Sequence, residues 1–138
     1  MLLETAHNAG VITNKEYANF QNAGYKGLYG GLTTQDILER KNLKENEKIL
    51  DFMESEELAA NLFRITQTEA KLKREMVKTK EKANETHYIV GKTVRKAIKD
   101  IGGTMPEKLP TPEKSISKIE KEQLIRLKNT KKKLMLEE

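Results

Sequence analysis

Two sets of residues in this chain have the types and the spacing to do chemistry. Glu69 and His87 each interrupt an otherwise apolar helical stripe. A carboxylate set against an imidazole is either an acid–base couple or a structural pair in the core. No third group completes a catalytic constellation, so the structural pair is the preferred reading. The second set is basic. Lys92, Arg95, Lys96 and Lys99 recur at helical spacing, and Arg64, Lys71, Arg74 and Lys78 line one face of the preceding helix. Two antiparallel helices carrying these side chains would present one cationic strip to an acidic partner, nucleic acid first. An ordinary solvated face is the alternative.

A third stretch, "NAGYKGLYGGLTTQD" (Asn22–Asp36), holds four of the eight glycines and two of the four tyrosines. Glycine there would let backbone approach a phosphate, with Lys26 supplying charge and Thr33 opening a helix whose amides favour anions. Tyr25 and Tyr29 would stack on bases. The competing reading is a tight corner in which Leu28 and Tyr29 plug the core, the commoner use of aromatics in small domains. "GYKG" (Gly24–Gly27) matches the GXXG clamp of KH domains, but that fold needs flanking strands and here the flanks are helical. "VGKT" (Val90–Thr93) lacks the leading glycine of a phosphate loop, since Thr86 stands there, and its amides are committed within a helix.

The elements that must position these residues are helical almost throughout. "NAG" occurs at Asn8–Gly10 and again at Asn22–Gly24, and each copy predicts a helix stop on its glycine, with Tyr25 meeting Phe20 at the second. "ITNKEY" and "LTTQDI" predict helix starts with Thr13 and Thr33 as N-caps and Glu16 and Asp36 closing capping boxes. A short helix is expected from about Asn46 to Met53, and another begins at Ser55. Its expected inward stripe is Leu58, Leu62, Ile65, Leu72 and Met76, followed on the next helix by Ala83, His87, Val90, Val94, Ala97 and Ile101. The stripe thins around 77–82, so a helical hairpin turning near 79–80 is preferred to one continuous rod. "GGTMPEKLPTPEKS" contains all three prolines and reads as an extended connector, and Ser117 with Glu120 opens a last helix.

The expected fold is therefore all-α, with about six helices. A compact core at 1–103 is built around a long helical pair, a Pro-rich connector spans 104–114, and a C-terminal helix spans 115–138. The chain has 138 residues, no cysteine and two histidines, which excludes a disulfide framework and argues against a bound metal or other cofactor. No apolar run is long enough to span a bilayer, and a cytoplasmic protein is expected. Residues 1–40 carry a net charge of −1, whereas 71–99 hold ten bases and three acids.

Four segments, "FQNAGYKGLYGGL" (Phe20–Leu32), "ELAANLFRITQTEAKLKRE" (Glu57–Glu75), "THYIVGKTVRKAI" (Thr86–Ile98) and "GGTMPEKLPTPEKSI" (Gly102–Ile116), closely resemble the C-terminal half of the bacterial DNA-damage-inducible protein D family. The resemblance runs in order over roughly residues 2–116 and does not visibly continue into the last twenty-odd. It implies a non-enzymatic protein of the SOS response that modulates recombination, with a RecA-type recombinase filament, single-stranded DNA, or both as partner. It implies no catalytic residues. Family members usually begin with an antirepressor-like N-terminal domain, which this sequence lacks. A short relative or a piece of a longer protein is the expectation, and an oligomerisation or partner-binding module serving that domain is the alternative function.

Overall fold

The computed structural model describes residues 2–113 and 115–137. Its α-helices are α1 (Leu2–Asn8), α2 (Asn14–Leu28), α3 (Thr34–Arg40), α4 (Ser55–Arg74), α5 (Lys80–Asp100) and α6 (Ile116–Glu137). Two short 3-10 turns, Ile49–Phe52 and Pro106–Lys108, complete the regular structure, and there is no strand among the described residues. The all-α expectation holds. The short helix expected over 46–53 is only the first of these 3-10 turns.

Helix starts follow local sequence closely. Both capping boxes form: the Thr13 side chain accepts from the Glu16 amide and the Glu16 carboxylate from the Thr13 amide, and Thr33 and Asp36 repeat the exchange. Those bonds, with Lys80 3.0 Å away, hold the Glu16 carboxyl at about 2. Gly10 adopts φ +103 and stops α1 as expected. The hairpin forms as well, turning at Glu75–Thr79, where Thr79 caps α5.

The second expected stop does not occur. α2 runs through Gly24 and Gly27 to Leu28, and the left-handed residues that end it are Gly30 (φ +67) and Gly31 (φ +104). The Gly31 amide closes the end on the Lys26 carbonyl at 2.7 Å. Gly24 and Gly27 serve tertiary packing instead. α2 lies against α5 more intimately than any other pair of elements does. A Cβ on Gly24 would sit 2.2 Å from His87 Nε2, one on Gly27 2.3 Å from the Tyr88 carbonyl, and one on Gly91 2.6 Å from the Gly24 carbonyl. Three glycines thus let two helix backbones touch. Tyr25 accordingly meets Tyr29 edge-on, not Phe20.

Two apolar clusters flank this contact. One gathers Tyr25, Leu28, Tyr29, Ile37, Leu38, Ile49, Met53, Val90 and Val94, and the other Ala6, Ala9, Val11, Phe20, Leu72, Val77 and Ala83. The connector lies on the first: Pro106 is buried, and Arg40 and Arg95 both bond Glu107. α6 touches the remainder mainly at the 3-10 turn of 49–52, and Leu124, Ile125, Leu127, Leu134 and Met135 stay exposed on it. The capping box expected from Ser117 falls on a side chain outside the described residues.

Candidate functional site: two faces of the α4–α5 hairpin

The inward face of α4 is polar. Its buried residues are Glu57, Asn61, Arg64, Thr68 and Leu72, at spacings of four, three, four and four. The expected stripe holds at Leu72, which is buried, and at Leu58, which packs half-buried against the core, but Leu62 is exposed, and Met76 is exposed with φ +51 beyond the helix end. On α5, Ala83, His87, Val90 and Val94 are buried as expected, whereas Ala97 and Ile101 face solvent.

Buried polar groups must find partners, because an unpaired one costs several times what a hydrogen bond contributes. Here they partner one another in a continuous chain. Lys41 Nζ donates to Thr111 Oγ1 of the connector at 3.2 Å and to Glu57 Oε1 at 2.7 Å. Tyr29 Oη donates to Glu57 Oε2, and Asn61 Nδ2 donates to Tyr29 Oη at 3.0 Å. Arg64 Nη2 then donates to Asn61 Oδ1 at 3.0 Å and Nη1 to His87 Nε2, while His87 Nδ1 donates to the Phe20 carbonyl at 2.8 Å. Burial pushes the Tyr29 phenol far above its ordinary pKa, and the Glu57 charge adds to it. Burial, then the Arg64 charge, lowers His87 from 6.5 to about 3, so the imidazole is neutral and accepts from the guanidinium. Arg64 lies over the Tyr25 ring, 4.7 Å from its centroid. This spine ties α2, α3, α4, α5 and the connector together.

The proposed Glu69–His87 pair does not form. His87 is buried, but its two nitrogens belong to Arg64 and Phe20, while Glu69 bonds Lys73 at 3.2 Å. The helical phase explains this: the residue facing His87 lies five positions earlier on α4. Tyr25 and Tyr29 are buried and so unavailable for base stacking. The 25–31 stretch is a packing corner, with Lys26 exposed on it. Beside Gly30 lies the Arg95 guanidinium, whose anion is the chain's own Glu107 at 2.8 Å.

The cationic strip survives in part. Arg64 is internal and Arg95 is tied between Leu28 and Glu107. Lys71 pairs with Glu75, Lys96 pairs with Asp100 at 3.0 Å, and Lys92 sits over the Tyr88 ring. Arg74, Lys92, Lys96 and Lys99 remain exposed on the two helices, and Lys78, also exposed, lies in the turn between them. Sequence reasoning missed the apolar component of this outer face: Phe63 is 54 % exposed and Ile89 44 %. They line a groove of about 330 Å³ with Gln67, Thr93 and Ala97, floored by Val90 and Val94 and edged by Lys71 and Arg74. The signal was present, because Phe63 lies outside the buried phase once Asn61 and Arg64 lie inside it.

Among the described residues there is no group of three His, Asp or Glu side chains placed to hold a metal ion, and no helix is long and apolar enough to cross a membrane.

Comparison with known proteins is specific. Residues 1–119 match the family model of the DinD C-terminal domain. The chain is similar to the DNA damage-inducible protein D of Escherichia coli (strain K12), 60% identical over 119 residues, which is 86% of this chain and 43% of that relative. The chain thus spans less than half the length of the curated relative it matches. No solved structure matches it.

Proposed function

The chain belongs to the DinD C-terminal domain family, and from that premise we propose that it is a non-enzymatic accessory module of a cytoplasmic DNA-damage (SOS) response. It acts on recombination by binding a RecA-type recombinase filament, single-stranded DNA, or both. The observation that carries the reading is the family match across residues 1–119, beside 60% identity over 119 residues to a relative named for DNA-damage induction. The exposed cations Arg74, Lys78, Lys92, Lys96 and Lys99 support it by offering charge to an anionic polymer or to a protein coating it. The non-enzymatic part is supported by the spine, whose titratable groups are buried and bonded to each other.

Co-sedimentation with recombinase filaments on single-stranded DNA, beside DNA alone, tests this across a salt series. Retention by the filament with a steep loss at high salt is the expected result. Retention on neither would end the reading. A second reading, an oligomerisation module, is favoured by the exposed Leu124, Ile125, Leu127, Leu134 and Met135 of α6. Sedimentation equilibrium separates the two: a mass that rises with concentration supports the second.

A further inference from the structure

The α4–α5 groove has a chemistry that damage-inducible charge alone does not account for. A surface built only to hold phosphates needs lysine and arginine, yet Phe63 and Ile89 stand in solvent over an apolar floor. Exposed aromatic and branched side chains around a concave floor are what a partner's apolar anchors fill. The charged side chains that line it, Lys71 and Arg74, are both basic; Lys71 also pairs with Glu75, and Arg74 is exposed. Among the chain's own elements, α6 is the free apolar face, but residues 116–137 hold seven bases and three acids. Like charge therefore sets α6 of a second copy against this groove.

We infer that the α4–α5 groove docks an acidic amphipathic helix of a partner protein, its apolar side chains seated between Phe63 and Ile89 and its carboxylates facing Lys71 and Arg74. The stretch from Phe63 to Arg74 rises about 16 Å, roughly three turns, so such a helix places three anchors at i, i+3 or i+4, and i+7. The site stands independently of any role in DNA damage.

Fluorescence anisotropy of the full chain with three labelled synthetic helices of about five turns tests the inference. The first carries a leucine stripe with glutamates elsewhere, the second the same stripe with lysines, and the third the glutamates with serines in place of leucines. The first is expected to bind at least about tenfold more tightly than either other peptide, about 1.4 kcal/mol, and to shift the amide resonances of Phe63, Ile89, Thr93 and Ala97. Replacing both Phe63 and Ile89 by Ser weakens it by about the same factor. The pair Lys71→Glu and Arg74→Glu, on exposed or half-exposed rim positions, reverses the preference toward the lysine peptide. Equal binding of the three peptides, shifts elsewhere on the molecule, or indifference to both sets of variants overturns the inference. Displacement of the first peptide by oligothymidylate assigns the groove to nucleic acid and overturns it. So does a dimer that dissociates in the Phe63, Ile89 variant. None of these measurements contains a recombinase, so their failure leaves the filament reading to its own test.

Discussion

The two sides of the α4–α5 hairpin invert the usual partition of polar and apolar residues. Inside, α4 buries a carboxylate, an amide, a guanidinium and a hydroxyl; outside, it and α5 expose phenylalanine and isoleucine. The inner side is closed chemically except at Arg64 Nε, which is buried without a partner among the described residues; its other bonding groups in the spine end on one another or on backbone. The outer side is open, with an apolar groove exposing Phe63 and Ile89 and edged by Lys71 and Arg74. Buried networks of this kind favour one arrangement of helices over near alternatives, since a slip leaves several polar groups unpaired at once. The contrast assigns fold specificity to the inner side and places the proposed recognition on the outer one.

Substitutions that break the inner side carry the largest effects. Gly91→Val puts a methyl-bearing carbon into the Gly24 carbonyl, where only backbone can yield. A loss of about 4 kcal/mol or more, or failure to unfold cooperatively in a thermal melt, is expected. Arg64→Ala strips His87 Nε2 and Asn61 Oδ1 of their donor and leaves a void, costing about 3 kcal/mol by urea titration. Arg64→Met, which refills the void without a buried charge, recovers part of that loss.

Acid titrates the same contact. The folded His87 pKa is depressed, so the unfolded chain binds the extra proton first. Stability is therefore full above about 6.5 and falls as pH drops toward 3, by on the order of a few kcal/mol. Glu16, held at about 2, adds its own loss only below about 4.5, and the upper part of the window reports His87. In His87→Gln the slope between about 6.5 and 4.5 flattens, as urea midpoints across pH will show.

Smaller effects sharpen the comparison. Tyr29→Phe removes a donor to Glu57 and an acceptor from Asn61, for about 2 kcal/mol. Phe63→Ser, on the open side, changes stability by no more than about 0.5 kcal/mol. A large loss on that substitution would mean that Phe63 belongs to the core.

What local chemistry decides was legible in the sequence. The capping boxes at Thr13 and Thr33, the stop at Gly10 and the hairpin each rest on residues within a few positions of one another, and all formed. The stop assigned to Gly24 failed because a glycine read locally is punctuation, while its use here is set by Gly91 and His87, more than sixty residues away in sequence. The inward stripe of α4 held at Leu72 and Leu58 but failed at Leu62 and Met76, for a related reason. Hydropathy assigns Leu58, Leu62 and Ile65 to the core, but Glu57, Asn61 and Arg64 can be buried once Lys41, Tyr29 and His87 arrive to satisfy them. Their spacing of four and three, continuing through Thr68 to Leu72, was visible; their partners were not. The expected cationic strip lost Arg64 and Arg95 to the interior, Lys71 and Lys96 to pairs with Glu75 and Asp100, and Lys78 to the turn. The outer groove follows from the corrected phase of the helix, not from any motif.

The division between a closed inner side and an open outer side is tested most directly by filament co-sedimentation of two variants beside the parent chain. One carries Lys92→Glu, Lys96→Glu and Lys99→Glu on the exposed face, and the other is Tyr29→Phe. The account predicts that the first keeps its melting temperature and loses retention by at least about tenfold, while the second melts lower and, below its transition, is retained like the parent. Full retention of the triple variant, or loss of retention in folded Tyr29→Phe, would contradict it.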